Sequence, residues 1–134
     1  MKKTALFLAF IIISASALFA QSTKGKAEVL YFKANLACCK AKACNALEAD
    51  IKGIVEKNYP KGNVVFKEVK IAEESNKPLV DKYQAGSQTV IIINKKKKKE
   101  ASINVSDLVR NYLKNQDKVT LETELIAKID GMLK

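Results

Sequence analysis

Runs of apolar residues with strand periodicity recur four times along the chain. Apolar and polar positions alternate in AEVLYFKA, and NVVFKEVKI shows a similar pattern, which is typical of β-strands. The segment TVIIIN is continuously apolar and indicates a strand covered on both faces. We predict strands over residues 27–34, 63–71, 89–94 and 100–104, with the lysine run 95–99 as a solvated turn between the last two.

Segments with the apolar spacing of helices lie between these strands and after the last of them. Starting at Cys44, apolar residues recur three and four positions apart and predict an amphipathic helix that Pro60 and Gly62 end; they are Leu47, Ile51, Ile54 and Val55. Glu48 and Asp50 lie on its polar face, where we expect them to be solvated. The tyrosines and phenylalanines of the strands are expected to be core or rim residues.

Three further helices are marked mainly by residues that favour helix ends. Ser75 or Asn76 is predicted to cap a short helix with Pro78 in its first turn, and Gly86 to close it. Ser106 is predicted to cap a helix over 107–113, and apolar spacing predicts a last helix over 121–133.

The resulting order is β-α-β-α-β-β-α plus a C-terminal helix, which predicts an α/β fold. We expect a mixed four-stranded sheet with helices on both faces. The first three strands, joined through helices, are expected to be parallel with right-handed crossovers, and the last two to form an antiparallel hairpin.

The N-terminal segment has the layout of a secretory signal. Lys2 and Lys3 precede an apolar stretch, and Ala20 stands at a plausible cleavage point. We predict a bacterial signal peptide over 1–20, one domain over 21–134 and a periplasmic or secreted location; an uncleaved anchor is the alternative. No later segment is apolar enough to span a membrane, so the mature chain is expected to have no transmembrane domain.

Composition narrows the chemistry. The chain has no histidine, which excludes Cys–His and Ser–His hydrolases and any metal site built on imidazole. Its formal net charge is +10, almost entirely from lysine, with Arg110 as the sole arginine. Nucleic-acid binding normally uses arginine with aromatic platforms, so we expect no nucleic-acid partner. Anionic surfaces or acidic partners fit the charge better.

All three cysteines fall within one short segment, as Cys38, Cys39 and Cys44. Neighbouring lysines and a helix N-terminus favour the thiolate, which is both a nucleophile and a ligand for soft ions. In one continuous helix, positions 39 and 44 would lie about 140° apart, and 38 and 44 about 120° apart the other way. A shared site therefore requires a loop over 37–43, and we predict that the helix starts at Ala43 or Cys44.

The element order resembles the thioredoxin fold, with the cysteines after the first strand where that fold keeps its site. The motifs VLYFKANLACC, CNALE and KYQAGSQTVIII also resemble a bacterial thioredoxin-like family designated ArsF, described as a nitrophenyl compound nitroreductase subunit. Two features depart from thioredoxin. Four residues, rather than two, separate Cys39 from Cys44, and Gln88 stands where that family has a cis-proline.

The C-C-x4-C spacing resembles that of the arsenical metallochaperone ArsD, another thioredoxin-like protein, whose As(III) site uses three thiolates. This resemblance implies Cys38, Cys39 and Cys44 as the ligands here. Cu(I) accepts two or three thiolates and stays possible, whereas a closed tetrahedral zinc site would need a fourth ligand.

Three functions remain open. The first is binding of a soft metal(loid) ion, As(III), Sb(III) or Cu(I), by the three cysteines. The second is thiol–disulfide exchange with a protein partner, with Cys39 and Cys44, or Cys38 and Cys44, as the catalytic pair. The third is a non-catalytic interaction module, in which some cysteines are merely small buried residues. Gln88 and Thr89 lie in the loop expected to face the cysteines and are candidates to flank the site.

Overall fold

Four strands form one sheet with helices on both faces. In a computed structural model, the strands are β1 (Ala27–Lys33), β2 (Val64–Lys70), β3 (Val90–Asn94) and β4 (Ala101–Asn104). The helices are α1 (Cys39–Asn58), α2 (Lys77–Tyr83), α3 (Ser106–Asn115) and α4 (Lys118–Leu133), and a 3₁₀ turn at Glu74–Asn76 precedes α2. The structure describes residues 27–35, 39–95 and 100–134. The predicted signal peptide and most of the lysine turn lie outside these ranges.

The strand order is β2-β1-β3-β4. β1 pairs with β2 in parallel, and β3 pairs with β4 in an antiparallel hairpin, as predicted. β1 and β3, however, are antiparallel, so the prediction of three parallel strands was wrong. The reason is the short connection from β2 to β3. β2 ends opposite Lys33 and β3 begins opposite Tyr31, at the same end of β1.

The length of α2 accounts for this reversal. Its seven residues span about 10 Å, because an α-helix rises about 1.5 Å per residue. A seven-residue strand such as β1 spans about 23 Å. The connection therefore stays at one end of the sheet rather than returning along it. The mixed sheet itself was predicted correctly.

The two faces of β1 enter different apolar clusters. Val29 and Tyr31 belong to the larger cluster, which includes residues of α1, α3 and α4. Leu30 and Phe32 belong to the smaller one, where partly buried residues of α2 pack. β3 divides in the same way between the two clusters, which confirms that TVIIIN is covered on both faces. The architecture is the predicted α/β fold, consistent with a thioredoxin-like arrangement.

α1 begins earlier than predicted. It starts at Cys39, not at Ala43 or Cys44. The sequence from Lys40 to Ala43 alternates lysine and alanine, which are strong helix formers, and these residues extend the helix rather than the preceding loop. The predicted apolar face of α1 is confirmed, since its members are buried in the larger cluster; they are Leu47, Ile51, Ile54 and Val55.

Two other helix ends also differ from prediction. α2 ends in a left-handed residue at Gln84, rather than at Gly86. Ser106 is the first residue of α3 and not its cap, because its Oγ accepts a hydrogen bond from the Val90 N–H instead. Within the described part of the chain, none of the helices combines the length and apolar character needed to cross a membrane.

Candidate thiol site

The structure describes the side chain of one of the three cysteines, Cys44. Cys44 lies in the second turn of α1 and is buried, with a relative exposure of 1%. Cys39 is the first residue of α1, and Cys38 lies outside the described residues. Cys44 is a free thiol, and its surroundings are described below.

The loop before β3 faces Cys44, as predicted. The Gln88 side-chain amide donates a hydrogen bond from Nε2 to Cys44 Sγ, at 3.3 Å. Ser87 Oγ lies 3.8 Å from the same sulfur, and either atom can act as donor. Thr89, the other residue predicted to flank the site, uses its Oγ1 to accept from the Gly86 N–H at 3.0 Å.

The backbone of Gln88 explains why proline is absent there. Its φ angle is 65°, in the left-handed region, whereas proline is restricted to about −65°. Its N–H donates to the Phe32 carbonyl at 2.9 Å, and proline has no N–H to donate. The Phe32 N–H in turn donates to the Thr89 carbonyl at 2.9 Å. This loop is thereby joined to the end of β1 by backbone hydrogen bonds.

Tyr31 supports Cys44 from the sheet. Its buried hydroxyl donates to the Cys44 carbonyl at 3.0 Å. Burial raises the pKa of Tyr31 well above its usual value, and negative charge on Cys44 and a hydrogen bond to it act in the same direction. The phenol consequently remains a neutral hydrogen-bond donor. We had predicted only a core or rim role for Tyr31; its contact with Cys44 follows from the packing of α1 on β1.

Glu48, one helical turn after Cys44, belongs to a charged cluster that the sequence did not reveal. Lys33 Nζ lies 2.6 Å from Glu48 Oε2 and 3.7 Å from Glu68 Oε2. The prediction that Glu48 is solvated was wrong, because its side chain is only 17% exposed. Asp50 is also engaged, accepting hydrogen bonds from Tyr112 and Lys118.

The pKa values of the two carboxyl groups in this cluster are shifted in opposite directions. A hydrogen bond with Glu48, together with burial, raises the pKa of Glu68. Burial also acts to raise the pKa of Glu48, but the hydrogen bonds with Lys33 and Glu68 outweigh it and lower that pKa. Glu68 is therefore the member of the pair that holds a proton more readily.

A groove of about 410 Å³ opens beside the thiol. It is lined by the end of β1 and the start of α1, through Lys33, Ala34, Asn35, Ala41, Cys44 and Asn45. Among the described lining residues, an ammonium group and two side-chain amides therefore lie around Cys44. This surface is polar, and its ammonium, that of Lys33, is already paired with Glu48 and Glu68.

The first turn of α1 determines how the cysteines can act together. Cys39 and Cys44 belong to one continuous helix, so these two positions lie about 140° apart around its axis. Among the described residues, no three histidine, cysteine, aspartate or glutamate side chains are grouped so as to hold a metal ion. A site shared by Cys39 and Cys44 therefore requires the first turn of α1 to open.

Comparison with known proteins gives little further information. No protein-family model matches this chain, and no curated protein matches it. A solved structure described as "Structure of a malarial protein" is 24% identical, over 67% of this chain and 97% of that chain, with a TM-score of 0.41. Such a likeness is too weak to bear on function. The resemblances to ArsF and ArsD remain predictions from the residues.

Proposed function

We propose that this protein binds a soft metal(loid) ion, As(III), Sb(III) or Cu(I), through Cys38, Cys39 and Cys44. The observation that carries this proposal is the hydrogen bond from Gln88 Nε2 to Cys44 Sγ, 3.3 Å long. A donor directed at sulfur favours the thiolate, and the thiolate is the form that binds soft ions. Cys44 would be the ligand already in position, and the other two cysteines would join it.

The charges near the helix N-terminus support the same chemistry. α1 carries no acidic residue in its first turn, and Lys40 and Lys42 lie in the sequence between Cys39 and Cys44. Cations there, together with the positive end of the helix dipole, favour negative sulfur.

Opening the first turn is the structural cost of this binding mode. The charges of that turn oppose helix formation, because its cations interact unfavourably with the helix dipole and no acidic residue compensates them, although its lysine and alanine residues are good helix formers. Lys42 and Ala43 are exposed, so opening loses little buried surface. The helix from Cys44 onward is held by Tyr31 and by the apolar core, and would stay in place.

Thiol–disulfide exchange is the second candidate. The position of Cys44 favours it, because this thiol lies between the end of β1 and the loop before β3 in a thioredoxin-like topology. The predicted export to an oxidising compartment acts in the same direction. Cys39 and Cys44, or Cys38 and Cys44, would form the pair and pass two electrons to a partner disulfide. The pair of Cys39 and Cys44 also requires the first turn to open, since a disulfide needs Cα atoms about 4.4–6.8 Å apart.

Arsenite titration of the reduced protein separates these candidates. Free thiols would be counted with a colorimetric reagent under argon as arsenite is added. We expect one equivalent to protect all three thiols, and Cys44→Ser to abolish tight protection of the other two. Ala46→Ser, which places a hydroxyl at an exposed position of the turn that contains Cys44 without removing a thiol, is the matched control and should bind as the unmodified protein does.

The opposite result is equally clear. If arsenite, antimonite and Cu(I) protect none of the thiols, or only two of them weakly, the three-thiolate site is wrong. The cysteine pairs would then be tested in glutathione redox buffers. A reversible disulfide with a potential in the range of catalytic dithiols would support exchange.

A further inference from the structure

The two edges of the sheet differ in how well they are protected against pairing with another strand. β4, at one edge, has four residues and follows the lysine run, and both shortness and lysines discourage pairing. β2, at the other edge, has seven residues and carries an aromatic side chain, Phe66. Within the described residues, no strand pairs with the outer side of β2. This long edge is therefore a candidate interaction surface.

The backbone of β2 presents hydrogen-bonding groups on its outer side. The Ala27 N–H donates to the carbonyl of Asn63, directly before β2, at 3.1 Å. Because the groups that bond β1 alternate along the strand, the odd-numbered residues of β2 face β1 and the even-numbered residues face outward. The outward carbonyl of Lys70 is taken by the Glu73 N–H, at 3.2 Å. The remaining outward groups belong to Val64, Phe66 and Glu68.

The side chains along this edge are apolar on the face that α1 covers. Val64 belongs to the larger apolar cluster, and Phe66 packs against that cluster. Phe66 is nevertheless only partly buried, since β2 has a neighbouring strand on one side only in the described part of the chain. A cavity of about 420 Å³ opens beside it, and its lining includes Tyr59, Pro60 and one charged residue, Glu56. An occupant that uses both the backbone edge and this cavity is an extended strand with an apolar side chain.

A second copy of β2 meets these requirements in one antiparallel register. A two-fold axis between the two Phe66 residues places Val64 opposite Glu68, and it places Val65 opposite Lys67. The three outward residues of each copy then exchange hydrogen bonds in both directions, as in an antiparallel ladder. An axis at Val65 would pair only two of these three residues. At the axis, Phe66 faces Phe66 of the second copy, and such aromatic cross-strand pairs are stabilising.

The charges of β2 are compatible with this register. Lys67 Nζ lies 2.8 Å from Glu28 Oε1, and Glu68 Oε2 lies 3.7 Å from Lys33 Nζ. Both charges that flank Phe66 are thus paired within their own chain. Moving the axis to Lys67 or to Glu68 would place two like charges directly opposite each other, which is destabilising. The sequence of β2 therefore favours the axis at Phe66.

We propose that this chain associates with a second copy of itself through β2, as an antiparallel pair of strands with its two-fold axis at Phe66. The two four-stranded sheets would be joined edge to edge, and the same surface would be used by both copies. Because few residues of each copy take part, we expect a weak dimer, with a Kd on the order of 100 µM. The inference goes beyond the proposed ion binding and does not depend on it, since β2 contains no cysteine.

Amide hydrogen exchange of the full chain, measured residue by residue by NMR, tests this register without any substitution. Between about 20 µM and about 1 mM protein, we expect exchange at Val64, Phe66 and Glu68 to slow about fourfold, because the fraction of free edges falls. The amides of residues 65, 67 and 69 bond to β1 and should be protected equally at both concentrations. Exchange at the three outward residues that does not depend on concentration would overturn the proposal. Association that leaves these three amides unprotected would overturn it as well.

Substitutions at Val65 test the register with charges of either sign. Val65→Lys places like charges opposite Lys67 twice in the dimer, and we expect a Kd about tenfold higher; Val65→Glu places opposite charges there and should lower the Kd about threefold. Val119→Lys and Val119→Glu, at a valine of α4 that is 75% exposed, change the net charge equally and are the matched controls.

Sedimentation velocity of the four variants, after circular dichroism has verified that each is folded, gives the Kd values. The controls should associate as the unmodified protein does. If both substitutions at Val65 change the Kd in the same direction, or if the controls change it as much, the register is wrong. A chain that stays monomeric up to about 1 mM would overturn the proposal as a whole.

Discussion

The two parts of α1 on either side of Cys44 are held very differently. From Cys44 onward, each turn is anchored by burial or by a side-chain contact with the sheet or with α3 and α4. Before Cys44, the helix carries lysines, has no acidic residue in its first turn and exposes Lys42 and Ala43. Cys44 thus lies at the boundary between these two parts of α1. The difference is the basis of our proposal that the first turn opens and brings the cysteines together without unfolding the core.

The largest effect should come from the anchored part. Ile51→Ala leaves a cavity in the larger apolar cluster, where Ile51 is fully buried. We expect the free energy of unfolding to fall by about 2–5 kcal/mol. Ala43→Gly, in the exposed start of the helix, should cost about 1 kcal/mol or less, which is the propensity difference alone. Urea unfolding followed by circular dichroism measures both, and equal losses would contradict the proposed boundary.

Charge reversal should change the stability of the protein in opposite directions at the two ends of α1. Lys42→Glu places an acid in the first turn, where it interacts favourably with the helix dipole, and should stabilise the protein by a few tenths of a kcal/mol. Lys57→Glu removes the cation in the last turn and its 2.8 Å ion pair with Glu122, and should destabilise it. Thermal unfolding at low salt tests both variants. Lys42→Glu should also weaken arsenite binding, because a negative side chain opposes nearby thiolates.

The smallest effect concerns the carboxyl pair that anchors the turn after Cys44. The pKa of Glu68 is raised by its hydrogen bond with Glu48 and by burial, so its contribution to stability is present at low pH. That contribution is lost as pH rises above the ordinary value of 4.5 and through the raised pKa. Glu68→Gln keeps a hydrogen-bond donor at this position. Because glutamine does not ionise, the variant does not lose this contribution as pH rises.

We therefore expect Glu68→Gln to be more stable than the unmodified protein at neutral pH, by a few tenths of a kcal/mol, with the difference vanishing below the ordinary pKa of a glutamate. The lowered pKa of Glu48 acts in the opposite sense, since its contribution is lost only as pH falls below 4.5. Urea midpoints measured across this range give the comparison. Glu124→Gln, at an exposed position of α4, is the control and should show no such trend.

Much of the fold followed from periodicity. Each strand lies within one residue of its predicted bounds at either end, because apolar runs at the spacing of strands were interrupted by clear turn residues. The direction of β3 could not be predicted from periodicity, because it depends on how far along the sheet the seven-residue helix α2 extends. The start of α1 was wrong for a different reason. A site shared by the cysteines needs a loop over 37–43, but the helix propensity of Lys40 to Ala43 extends α1 through these residues.

Only the part of the candidate site that depends on the order of strands, helices and loops along the chain could be predicted from the sequence. Placing Cys44 opposite the loop with Gln88 follows from a site after β1 and a loop before β3. The Tyr31 contact and the cluster of Lys33, Glu48 and Glu68 depend on strand register, because β1 and β2 bring Tyr31 opposite Glu68. No local spacing in the sequence encodes that register, so these partners were missed.

Hydrogen exchange with and without one equivalent of arsenite tests the central claim most directly. In α1, the amides of residues 43–45 bond to carbonyls of the first turn, whereas those of 51–58 lie in the anchored part. We predict that arsenite protects all three thiols and speeds exchange at 43–45, with exchange at 51–58 unchanged. Arsenite binding that leaves 43–45 as protected as before, or no binding at all, would contradict a three-thiolate site formed by opening the first turn.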